Sequence, residues 1–232
     1  MHKRTAFTLA EVAITLTIIA IVAIITVPAI VTKYQQRQTV VKLEKVYSTF
    51  SNALNMAVAA YGSISSWELG TTGNKDDAYS FAQKYIFPYV QLSKDCGLNS
   101  EGDCEHSYYS LNSVVPTLID NTHIRYFLSD GTFIAQRVVN PGGSRAGYIR
   151  TVIDINGHAG PNVMGKDVFE VCIFIKSTNA SIIGRFVDWG YGLTREQLMV
   201  SSGGGCNRNG QGWYCLSLIM LDGWKISDDY PW

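Results

Sequence analysis

Residues 3–32 read KRTAFTLAEVAITLTIIAIVAIITVPAIVT, and this stretch decides how the rest of the chain is organised. From Val12 to Thr32 it runs for 21 residues without a charge and is dense in Ile, Val and Ala. A helix needs about 20 apolar residues to cross the hydrocarbon of a bilayer, so the length suits one span. Lys3 and Arg4 precede the run, and basic flanks tend to stay cytoplasmic, which places everything downstream on the far side. A cleavable secretory signal also starts basic, but its apolar core is about 7–15 residues long and ends at a small-residue cut. Here the run is longer and passes without a turn into Lys33-Tyr34-Gln35-Gln36-Arg37, so it reads as retained. Glu11, a carboxylate at the lip of the run, stands out because a charge there is expensive in lipid unless something pairs with it.

The order Lys3-Arg4-Thr5-Ala6-Phe7-Thr8-Leu9-Ala10-Glu11 resembles the prepilin cleavage motif of type IV pilins and type II secretion pseudopilins. In that family a prepilin peptidase cuts on the cytoplasmic side just before a Phe, methylates the new amine and leaves a Glu as the fifth mature residue. The resemblance therefore implies a leader over residues 1–6, cleavage between Ala6 and Phe7, and Glu11 as an assembly residue. Ala6 departs from the usual Gly but keeps a small side chain, and Pro28 falls where many pilins carry a helix-breaking proline. Residues 7–32 would then be a transmembrane and assembly helix. When such helices bundle, Glu11 can pair with the N-terminal amine of a neighbouring Phe7, so assembly satisfies both charges. Apolar side chains from Leu9 to Val31 would pack on other copies, and Pro28, lacking an N–H, permits local melting or a kink. The implied partners are the prepilin peptidase, other pilin or pseudopilin subunits in a filament, and an inner-membrane assembly platform. The implied location is the bacterial inner membrane, crossed once, with the C-terminal domain in the periplasm or outside before it joins a filament.

Beyond the membrane segment, Leu43, Tyr47, Phe50, Leu54, Ala57 and Tyr61 recur at spacings of four and three, one stripe on a helix. Residues 33–61 are thus an amphipathic continuation, ended by Gly62 and a Ser/Gly-rich stretch through Gly73, and the whole helix would be about 50 residues long. Residues 62–232 form a globular domain. Lys75 to Leu92 reads as a short amphipathic helix ending near Pro88. Strand patterns cover Ile124 to Leu128, Thr132 to Val138, Tyr148 to Ile155 and Val168 to Ile175, the first two joined by the turn Ser129-Asp130-Gly131. Packing these strands on the Leu43 to Tyr61 stripe gives an α+β domain, and the family resemblance gives it a lollipop layout.

Nineteen basic and nineteen acidic residues balance, with no downstream block of like charge, so a nucleic-acid partner is not expected. The five cysteines include two close pairs, Cys96 with Cys104 and Cys206 with Cys215, each bracketing a polar, glycine-containing segment. Their spacing favours two small disulfide loops over zinc, which would want CxxC pairs or interleaved histidines. The four histidines, His2, His106, His123 and His158, show no ligand spacing. Cys172 lies in an apolar run and reads as a buried thiol. Disulfides imply an oxidising compartment, in agreement with the topology. The Cys206–Cys215 segment reads as a glycine-rich loop with exposed Trp213 and Tyr214, and many pilins close a comparable variable loop with a C-terminal disulfide.

Asp154-Ile155-Asn156-Gly157, Gly160-Pro161-Asn162 and Gly165-Lys166-Asp167 gather oxygen atoms and tight turns between two strands. Several pseudopilins bind calcium in a corresponding loop, which this stretch resembles, making Asp154, Asn156 and Asp167 the candidate Ca2+ ligands. The same stretch also reads as an Asx-rich connection satisfied by its own backbone. No nucleophile, base and orienting group stand together, and Gly203-Gly204-Gly205 lacks the Lys-Ser/Thr of a phosphate loop, so an enzyme is not expected. The leading expectation is a structural subunit, a minor pilin or pseudopilin, of a type IV pilus or type II secretion filament. A membrane-anchored extracellular binding or adhesion module is the alternative, and it leaves the Phe7-to-Glu11 pattern unexplained.

Overall fold

A computed structural model describes residues 8–142, 146–177, 180, 184–187, 189–200 and 203–232. Lys3, Arg4 and the expected cut between Ala6 and Phe7 lie outside the described residues. The chain divides into two units, residues 1–38 and 39–232, and helix α1 (Leu9–Tyr61) begins in the first and ends in the second.

In the first unit α1 is apolar on every side from Val12 to Val31. Leu16, Ile18, Ile19, Ile21, Val22, Ile24 and Ile25 are all exposed, so there is no single stripe of the kind that seats a helix on a soluble core. The segment is long and apolar enough to cross a membrane, and none of its most apolar window is buried. Its hydroxyls are satisfied internally: Thr15, Thr17 and Thr26 donate to the carbonyls of Val12, Ala13 and Val22. That arrangement suits lipid, where an unpaired polar group is costly. The helix passes through Pro28, which has no N–H to offer the carbonyl four residues back.

In the second unit the stripe is buried as expected. Leu43, Phe50, Leu54 and Ala57 are enclosed, joined by Val40, Val46 and Ala53, while Tyr47 is half-buried and Tyr61 exposed. They pack on a six-stranded antiparallel sheet of order β1-β4-β5-β6-β7-β8. Its strands are β1 (Leu92–Asp95), β4 (Ile124–Leu128), β5 (Phe133–Val139), β6 (Gly147–Asp154), β7 (Val168–Lys176) and β8 (Phe186–Val187). Phe50 stacks on Phe186 with ring centroids 5.1 Å apart. Lys42 Nζ donates to the Ile155 carbonyl at 3.1 Å, and Lys45 pairs with Asp130 at 2.8 Å on the β4–β5 turn, where Gly131 at φ 86° takes a conformation glycine alone adopts cheaply. Helices α2 (Lys75–Tyr85) and α4 (Cys215–Leu221) add Phe81, Ala82, Leu216, Leu218 and Ile219 to the same core. Asn74 caps α2 by accepting from the amides of Asp76 and Asp77. A third short helix, α3 (Arg195–Val200), contributes Leu198.

The opposite face of the sheet is covered as well. The two-stranded ribbon of β2 (Ser107–Tyr109) and β3 (Pro116–Leu118) lies near Phe133, Ala135, Val152 and Val168, which pack with Tyr108 and Ile119. Burial on both faces explains why β7 reads as a nearly unbroken apolar run interrupted only by Glu170 before its final Lys176. Several polar groups sit on the covered faces and are paired. Tyr126 Oη donates to Gln136 Oε1 at 2.9 Å and Gln136 Nε2 donates to Thr151 Oγ1 at 3.1 Å, a chain across three strands. Glu170, fully buried, holds Arg150 through two bonds of 2.5 and 2.7 Å and accepts from Trp189 Nε1.

Two readings change. Leu92 opens strand β1 instead of closing a helix, because α2 stops at Tyr85 and a 3-10 turn over Phe87–Tyr89 follows at Pro88. Trp213 and Tyr214 are half-buried rather than exposed: Trp213 packs on the β2–β3 side and Tyr214 on the main core. The C-terminal tail belongs to the domain, with Tyr230 buried and its hydroxyl donating to the Gly165 carbonyl. Arg195 clamps that tail to Asp222 at 2.8 Å and Asp229 at 2.7 Å.

His123 gives the domain an acid-sensitive point. It is buried, its Nδ1 lies 2.8 Å from Asp120 Oδ1, and burial lowers its pKa from 6.5 to about 4 against the pull of that carboxylate. The unfolded chain takes up this proton below pH 6.5 and the folded chain does not, so the lowered value costs stability as pH falls from 6.5 to about 4. At about 1.4 kcal/mol per pH decade the full loss is about 3 kcal/mol. Burial alone would raise Asp120, but the Thr122 hydroxyl and amide and His123 outweigh it and hold the carboxyl at about 2, so its contribution is lost only below pH 3.8. Urea unfolding of the full chain in detergent at pH 7, 5 and 4 should show the decline, and His123→Gln should flatten it. An identical slope in that variant would assign the acid sensitivity elsewhere.

Candidate functional site

The start of α1 is built as a capping box. Thr8 immediately precedes the first helical residue, and its amide and hydroxyl both donate to Glu11 Oε2, at 2.8 and 2.7 Å. In return the Glu11 amide donates to Thr8 Oγ1 at 3.3 Å. This reciprocal arrangement satisfies two of the donors that every helix N-terminus leaves over, and it places a carboxylate where the helix dipole favours negative charge. Glu11 Oε1 accepts none of these bonds, and both residues are exposed. The carboxylate is thus oriented by its own helix while one oxygen faces outward, able to receive a cation from another molecule. Glu11, Thr8 and the all-round apolar segment lie together at one end of the chain, whereas Ala6 and Phe7 lie outside the described residues.

The loop between β6 and β7 brings Asp154, Asn156 and Asp167 into one connection, with the carboxylate oxygens of Asp154 and Asp167 directed at protein donors. Asp154 is fully buried: Oδ2 lies 3.0 Å from His106 Nε2 and Oδ1 accepts from the Asn156 amide at 3.1 Å. Burial pushes its carboxyl up, against the pull of His106 and of that amide. Asp167 accepts from the amides of Asn162 at 2.8 Å and Val163 at 2.6 Å, one on each oxygen. Asn156 Nδ2 reaches the Gly160 carbonyl at 3.4 Å, and Asn156 Oδ1 is buried without a hydrogen-bond partner. Self-satisfaction of this kind is what an Asx-rich connection achieves. Among the described residues no three His, Cys, Asp or Glu side chains gather as a metal-binding group.

Both disulfides form as paired, Cys96 with Cys104 and Cys206 with Cys215, with Cα atoms 6.1 and 4.7 Å apart. Cys172 lies outside both and is buried on β7. Two features have no signature in the sequence. Arg125, buried on β4, donates to the carbonyls of Ser100, Cys104, Ile119 and Asp120. His106 and His158, separated by 52 residues, come within 3.4 Å of each other.

No curated protein and no solved structure matches the chain. A profile described as "Family of unknown function (DUF6613)" matches residues 29–232, starting just after Pro28 and leaving the prepilin-like start outside the matched region. With most of its length matched, the chain belongs to the family of unknown function DUF6613.

Proposed function

We propose that this chain is a subunit of a filament of the type IV pilus or type II secretion kind, anchored in the bacterial inner membrane until it assembles. The carrying observation is the segment of α1 that is apolar on all sides and begins with the oriented carboxylate of Glu11. A plain membrane anchor needs the apolar length alone. A subunit that leaves lipid to pack among its copies also needs one polar contact that sets register, because apolar surfaces slide without penalty. On this reading a prepilin peptidase cuts between Ala6 and Phe7, and the new amine of one copy meets the outward oxygen of Glu11 on the next. The domain that follows, stabilised by two disulfides and covered on both faces of its sheet, is a structural and binding element rather than a catalytic one.

Intact-mass and N-terminal analysis after expression with and without a prepilin peptidase tests this directly. A mature chain starting at N-methylated Phe7, seen only with the peptidase, is the expected result. An uncut Met1, or a cut after the apolar run, would leave an anchored or secreted binding module as the better account.

A further inference from the structure

The two histidines beside the β6–β7 loop are held as metal ligands are. His158 Nε2 lies 2.8 Å from the Asp103 carbonyl, which can only accept, so that nitrogen carries the proton. His106 Nε2 faces the Asp154 carboxylate at 3.0 Å and donates to it. In the tautomer that carries its proton on Nε2, each ring presents a bare lone pair at Nδ1, and the two Nδ1 atoms face each other at 3.4 Å. Two lone pairs at that distance repel unless a positive centre lies between them. A shared proton would draw the nitrogens to about 2.9 Å, the usual hydrogen-bond length. Two nitrogens each about 2.05 Å from one tetrahedral zinc stand about 3.3 Å apart.

We propose that His106 and His158 bind a divalent transition-metal ion of the zinc class through their Nδ1 atoms. Each ring has the outer hydrogen bond that fixes the tautomer and orientation of a metal-bound histidine, a carboxylate for His106 and a backbone carbonyl for His158. His106 is buried, His158 is exposed, and the pair opens onto a surface groove also lined by Asp103, Glu105 and Asn162. Asn162 Oδ1 is a buried acceptor without a hydrogen-bond partner in that same lining. Two protein nitrogens are fewer than the four ligands of a closed structural site, so the remaining positions go to water or groove oxygens and the ion exchanges. Imidazole nitrogen selects zinc, copper or nickel over calcium, which prefers oxygen.

The test is equilibrium binding of zinc, and of cobalt(II) read by its visible absorption, to the untagged full chain in detergent, beside the variant His158→Gln. His158 is exposed and takes no part in the His106–Asp154 bond, so the variant should melt near the wild-type temperature without metal. One metal per wild-type chain at micromolar concentration, weakened at least tenfold by His158→Gln, with zinc raising the melting temperature of the wild type alone, is the expected result. Equal binding by both proteins, or none by either, would overturn the proposal. A wild-type response to calcium as large as that to zinc would overturn it too, crediting the loop oxygens instead.

Discussion

On the filament reading, replacing Glu11 by glutamine should leave the chain in the membrane and remove it from filaments. The substitution separates the capping role seen in the structure from the assembly role proposed for the same side chain. Glutamine keeps a side-chain oxygen at the third helical position, so the box with Thr8 survives and α1 still starts at Leu9. The charge is gone, and on the filament reading the amine of a neighbouring Phe7 then sits in an apolar bundle without a counter-ion. Removing one partner of a buried ion pair costs about 3–5 kcal/mol, which corresponds to a loss of incorporation of about a hundredfold or more. Glu11→Ala should fail equally in assembly and additionally weaken the helix start by about 1 kcal/mol. Membrane fractionation and purified-filament blots measure the two effects apart. Filaments carrying glutamine at wild-type abundance would show that the carboxylate serves only as a cap.

The second large effect is expected at Arg125. Its guanidinium is enclosed and donates to four carbonyls: Ser100 at 2.6 Å, Cys104 at 3.2 Å, Asp120 at 3.3 Å, and Ile119. These carbonyls belong to the disulfide loop before β2 and to the segment entering β4, so one side chain ties both ends of the β2–β3 ribbon to the sheet. Arg125→Met keeps much of the volume and leaves those acceptors without this donor, the carbonyls of Cys104 and Ile119 in buried surroundings, at a cost of about 3–5 kcal/mol. For a domain of this size that lowers the melting temperature by about 10 °C. Arg125→Lys, with a point charge in place of a fork, should fall between the two. A melting temperature for Arg125→Met within about 2 °C of wild type would mean that water or a shifted backbone replaces the fork.

What could be read from the residues was whatever repeats locally. The stripe from Leu43 to Ala57 and the β4–β5 hairpin around Gly131 carry their periods and turn chemistry within about 20 residues, and both form as read. The strands β2, β3 and β8, of two or three residues each, are too short to show a period, and they exist because the sheet offers edges and faces to cover. Helix α4 follows a glycine-rich loop directly, and its apolar run Leu216 to Leu221 has no side-chain cap to announce a start. The capping role of Glu11 was legible in the Thr-x-x-Glu spacing, but the cost of a charge beside an apolar run directed the reading to lipid and to a partner instead. The histidines show the opposite limit. His106 leads into β2 and His158 sits in the β6–β7 loop, so only the docking of the ribbon on the sheet brings their rings together.

The core joins residues from opposite ends of the domain sequence: Leu43, Val46 and Phe50 share one cluster with Leu216, Leu218, Ile219 and Tyr230. Contacts so distant along the chain cannot form until synthesis is nearly finished, and they close slowly because the intervening loop must first be brought together. While the chain is emerging, the apolar strands β5 to β7 have neither the C-terminal helix nor the tail to cover them. A chain stopped before Arg195 would therefore present an open sheet, material for chaperones and proteases, while its membrane helix would already be complete. The finished tail thus acts as a seal, and a protein lacking residues 195–232 would be removed before it could enter any assembly.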